Sequence, residues 1–60
     1  MASDETRRIL KIFGVAVTNL EDAVDRKAKV DEIARWDAEL ADRTREVIAL
    51  VDRLRSRRIG

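Results

Sequence analysis

From position 30 onward, apolar residues recur at alternating steps of three and four: Val30, Ile33, Leu40, Val47, Val51 and Leu54, with Asp37 and Thr44 occupying the same series. Only an amphipathic α-helix brings residues so spaced onto one stripe, and such a stripe is made to face other helices. Nothing in residues 18–58 opposes that helix. The chain has no proline, and its glycines are Gly14 and Gly60.

The stripe is broader than a two-stranded coiled coil requires. Ala34, Ala41 and Ile48 widen it on one side, and Trp36 and Leu50 on the other. An arc of that width suits a coiled-coil or helical-bundle oligomer of three or four helices. Length points the same way. A chain of 60 residues buries only about 60% of the surface its unfolded form exposes. Domains this small gain stability from disulfides, a structural metal or association. With neither Cys nor His in the sequence, disulfides, Cys/His zinc sites, haem ligation through these residues and iron–sulfur ligation through Cys are ruled out, and association is left. The expected fold class is therefore all-α.

The N-terminal third carries its own signals. Ser3 followed by Asp4 and Glu5 reads as an N-cap with acids in the first turn. Ile9, Leu10, Ile12 and Phe13 form an apolar side flanked by Arg7, Arg8 and Lys11, read as a docking face for the long helix rather than as a membrane-surface segment. Gly14 is suited to the left-handed C′ position that ends a helix, with Leu10 as C3 and Val15 as C″. Thr18-Asn19-Leu20-Glu21 matches a capping box. Together these predict helix 1 over 4–13, a connector over 14–17 and a long helix over 18–58.

Phase suggests an alternative. Leu20 and Val24 fall on the far side of the helix from the Val30-to-Leu54 stripe, and residues 25–29 contain one apolar residue, Ala28. A turn there would give a helical hairpin, 3–25 and 30–57, that dimerises into a four-helix bundle. The break at Gly14 is preferred, because residues 25–29 lack every usual turn residue except Asp25.

The search for chemistry is short. Asp22–Arg26, Asp25–Lys29, Asp31–Arg35 and Glu39–Arg43 are acid-to-base pairs at i,i+4, the pattern of a solvated helix surface. Without His or Cys the familiar nucleophilic triads are impossible, and no base is arranged near Ser3, Thr6, Thr18, Thr44 or Ser56. No EF-hand spacing or glycine-rich phosphate loop occurs. No enzymatic activity, catalytic residue, metal or cofactor is expected.

The expected function is that of a non-enzymatic helical oligomerisation, adaptor or docking module, either a small accessory subunit or the N-terminal dimerisation segment of a longer protein. Its interface would comprise Val30, Ile33, Trp36, Leu40, Val47, Leu50, Val51 and Leu54, with Trp36 as anchor. Asp37 and Thr44 would set register, as single polar core positions do. Partners would be copies of the chain or another helical protein. Formal charge is +1, which gives no global attraction to polyanions. Arg53, Arg55, Arg57 and Arg58 nevertheless cluster at the C-terminal end. They support a competing expectation, a nucleic-acid-binding regulator whose oligomer juxtaposes arginine-rich ends. The apolar runs 12–17 and 47–51 are far shorter than the ~20 residues a membrane span needs. No basic leader precedes an apolar segment, so a cytoplasmic protein is expected.

Overall fold

The structure, a computed structural model, describes residues 3–59. Two helices make an antiparallel hairpin: α1, Asp4–Asp25, and α2, Val30–Ile59. The all-α fold is thus the helical-hairpin version, with the turn at residues 26–29 and not at 14–17.

α1 begins as its sequence requires. Ser3 is extended, its Oγ accepts from the Thr6 backbone N–H at 3.1 Å, and Asp4 and Glu5 occupy the first turn. The helix then runs straight through Gly14, whose φ is not positive. Thr18 does not cap a helix; its hydroxyl donates to the Gly14 carbonyl at 2.9 Å, the back-bond of a mid-helix threonine. The reason is continuity of packing. Thr6, Ile9, Phe13, Ala16, Leu20 and Ala23 are the half-buried and buried residues of one stripe spaced three and four apart. A break at Gly14 would throw the second half of that stripe out of register. Glycine in a helix interior costs only ~1 kcal/mol, less than the burial a break would forfeit.

The Schellman geometry assigned to Gly14 occurs at the end of α1 instead. The Ala28 N–H donates to the Ala23 carbonyl at 2.9 Å, and the Lys27 N–H to the Val24 carbonyl at 3.1 Å. The left-handed residue is Lys27, at φ 54°, where glycine is the usual occupant. Ala23 and Ala28 form the expected C3–C″ apolar pair, buried and half-buried respectively. α2 starts at Val30, and the Lys29 carbonyl accepts from the N–H groups of Glu32 and Ile33.

The turn reverses the chain and resolves the phase conflict: Leu20 faces back across it to α2. The residues α2 offers to α1 are Ile33, Trp36, Leu40, Arg43, Val47 and Leu50, again at steps of three and four. Ala16 and Ala23 are 3% and 0% exposed, because a methyl side chain lets the partner backbone come close. Arg43 lies along this seam with its guanidinium bonded to Glu39 at 3.1 Å and to Glu46 at 2.7 Å. Those bonds, Glu39 first, raise its pKa, while its methylene stem covers apolar surface.

Across the turn, the Arg26 guanidinium bonds both Asp22 and Glu32, and the Trp36 indole N–H donates to the same Glu32 at 3.4 Å. Of the four i,i+4 pairs, Asp22–Arg26 and Glu39–Arg43 form. Asp25–Lys29 spans the turn, and Arg35 lies over the Trp36 ring at 5.8 Å.

Candidate association face

The hairpin has two unlike sides. On one, Glu5 and Arg53 bond at 2.5 Å, and a shallow depression collects Glu5, Arg8, Ile12, Arg43, Glu46 and Arg53 with Ile9 and Ala49. This side is laced by charge. Helical spacing puts Leu10, Val17 and Val24 of α1, seven residues apart, on the other side. It puts Val30, Asp37, Thr44 and Val51 of α2 there too, with Ala34, Ala41 and Ile48 beside them.

Among the described residues nothing covers that second side. Leu10, Val17 and Val24 are 49%, 40% and 53% exposed; Val30, Ile48 and Val51 are 81%, 56% and 37% exposed. The buried hydrophobic residues among those described are Ala16, Ala23 and Leu50. Contiguous exposed apolar residues of this kind make the side a candidate interaction surface.

The sequence-predicted interface is therefore divided in two. Ile33, Trp36, Leu40 and Val47 are half-buried and Leu50 is buried, all toward α1. Val30 and Val51 lie on the open side, and Leu54 is exposed near the N-terminal end of α1. Asp37 is exposed on the open side; Thr44 is half-buried there, its hydroxyl donating to the Leu40 carbonyl at 2.8 Å. Sequence reasoning missed the α1 contribution, Leu10, Val17 and Val24. The seven-residue spacing was visible, but a presumed break at Gly14 cut it in two.

The arginine cluster is also divided. Arg53 is held by Glu5, and Arg55 lies 4.0 Å from Asp52. Arg57 and Arg58 occupy the last turn of α2, where positive charge complements the helix dipole.

Among the described residues no group of three or more carboxylates is placed to hold a metal ion, and no buried side-chain polar atom lacks a partner. No helix among them is long and apolar enough to cross a membrane. Comparison with family models, curated proteins and solved structures finds no match to this chain.

Proposed function

We propose that this chain is a non-enzymatic helical association module, a small oligomerising, adaptor or docking protein whose open face is covered by other helices in its working state. One observation carries this: the hairpin is a single layer, and Leu10, Val17, Val24, Val30, Ile48 and Val51 line a side that nothing among the described residues covers. Stable domains use at least two packed layers. The Cα trace measures 47 × 18 × 13 Å, two helices wide and one deep. The chain exposes 5021 Å² at a mass of 6.9 kDa, whereas a compact monomer of that mass exposes about 4000 Å². The difference is comparable to the ~800 Å² that each partner contributes to a standard interface.

Sedimentation equilibrium tests the proposal. The chain should sediment well above its 6.9 kDa monomer mass at micromolar concentration. A double variant, Val17→Lys with Ile48→Lys, should lose mass and helicity together. A monomer that stays fully helical and melts cooperatively would show that the face needs no cover, and would overturn the proposal. The competing expectation, nucleic-acid binding through clustered arginines, gains nothing from a cluster in which Arg53 and Arg55 already sit beside acids.

A further inference from the structure

We infer that the open face is covered by a second copy of this chain, laid on it antiparallel about a two-fold axis that crosses the helices between Val17 of α1 and Leu40–Ala41 of α2. This assignment rests on the association proposed above and adds to it the partner, the orientation and the register.

The register comes from the hairpin itself. Glu5 is bonded to Arg53, and Ile9 and Ile12 share a depression with Ala49 and Glu46. Carried along the antiparallel pair, this alignment puts Val17 level with Leu40 and Ala41. An axis at that level acts on both helices at once, so two independent series must be self-complementary about it.

Both are. On α1, the axis sets Val17 against the partner's Val17, and Leu10 against the partner's Val24. On α2, it sets Val30 against the partner's Val51, the outer pair of the open-side series Val30, Asp37, Thr44 and Val51. The flanking residues match by size, with Ala34 opposite the partner's Ile48 and Ala41 opposite the partner's Ala41. The two polar residues of the α2 series meet each other, since Asp37 falls opposite the partner's Thr44. The partner's Arg45 lies one residue further on. That arginine is 74% exposed and pairs within its own helix only with Asp42.

The other arrangements handle Asp37 badly. Parallel α2 helices would stack Asp37 on the partner's Asp37, burying two like charges. A bundle in which α1 faces the partner's α2 would set Asp37 against Leu20 and put both aspartates in one layer. Only the antiparallel two-fold sets each aspartate beside a guanidinium of the partner, the charge complementarity that fixes orientation in helical assemblies. It also sends the two Arg57–Arg58 ends to opposite poles of the bundle, so the dimer does not bring arginine ends together.

Single cysteines in the full chain test this cleanly, because the native sequence has none. Under mild oxidation, Ala41→Cys should form a disulfide-linked dimer about tenfold or more faster than Ala49→Cys, which lies on the other side, through the high effective concentration at the axis. Ala34→Cys alone and Ile48→Cys alone should crosslink as slowly as Ala49→Cys. A mixture of the two should give the mixed dimer at a rate near that of Ala41→Cys. Rapid self-crosslinking of Ala34→Cys would mean a parallel dimer and overturn the inference. A dimer by sedimentation whose Ala41→Cys form crosslinks no faster than Ala49→Cys would overturn the axis while leaving association intact. A monomer by sedimentation would overturn both. Charge supplies a second measurement independent of cysteine geometry. Asp37→Arg should weaken the dimer, and adding Arg45→Asp should restore it; if the second substitution restores nothing, Asp37 does not face the partner's Arg45.

Discussion

Two backbone positions have the wrong residue for their conformation, and each makes a prediction of opposite kind. Gly14 sits inside a continuous helix, and a Cβ added there would meet nothing within 4 Å. Gly14→Ala should therefore stabilise the chain by about 0.5–1 kcal/mol, by restricting the unfolded state and restoring helix propensity. Thermal unfolding at fixed protein concentration measures it, and a loss of stability would mean that the chain turns at Gly14 after all. Lys27 is the converse, a side chain held at φ 54°, where a left-handed conformation costs a residue with a Cβ roughly 1–2 kcal/mol. Lys27→Gly should raise stability by about 0.5–1 kcal/mol, the relief being partly offset by glycine's greater unfolded-state entropy. The same melts test it; a lower midpoint would show that Lys27 contributes contacts worth more than its strain. These two residues also explain why the turn was misplaced. Turn chemistry in the sequence pointed to glycine, and the turn formed where apolar phase changed sign. Ser3, whose cap depends only on its immediate neighbours, was legible from the start.

At the scale of the element, the turn is held by a cluster that titrates. Glu32 accepts from Arg26 first and from the Trp36 indole second, and both hold its carboxyl below the usual carboxylate range. A carboxylate whose folded pKa is depressed stabilises the fold above its unfolded value and loses that contribution as pH falls through the folded one. The hairpin should thus be insensitive to pH above the unfolded glutamate value of ~4.3 and weaken progressively below it. Glu32→Gln should flatten part of that acid slope while lowering stability at neutral pH. Emission from Trp36, the single tryptophan, reads both as the ring leaves the α1 seam. Because Arg26 is half exposed, salt should weaken the clasp, so the effect should shrink as ionic strength rises. An acid slope identical in the wild type and Glu32→Gln would show that Glu32 does not hold the turn. The residue types of this clasp were plain in the sequence, but a contact from Arg26 to Glu32 exists only once the chain reverses between them.

For the whole molecule, the governing fact is how little the hairpin buries. Among the described residues the buried apolar set is Ala16, Ala23 and Leu50. Even with the half-buried Phe13, Leu20, Ile33, Trp36, Leu40 and Val47 beside them, they make a thin one-sided seam to set against the conformational entropy of ordering helices of 22 and 30 residues. The broad arc on α2 was legible before any fold was known, and its breadth has a physical meaning: one flank belongs to α1 and the other to whatever covers the open face. What the sequence could not show was the division between them, since that depends on where the chain turns. Folding and association should consequently be one event. If hairpin and dimer form together, each tenfold rise in chain concentration adds ~1.4 kcal/mol to the stability of the assembly. With an unfolding entropy near 2.1 cal/mol/K per residue over two chains, that corresponds to a midpoint about 5 °C higher per tenfold. Helicity by circular dichroism and Trp36 emission should melt together at every concentration, because Trp36 packs against α1 and the hairpin would form only with the proposed dimer. A midpoint independent of concentration would mean that the hairpin is stable alone. Loss of the dimer mass by sedimentation at a temperature where helicity and Trp36 emission are both unchanged would mean that the hairpin closes before the dimer forms, separating the two events that the thin core requires to be joined.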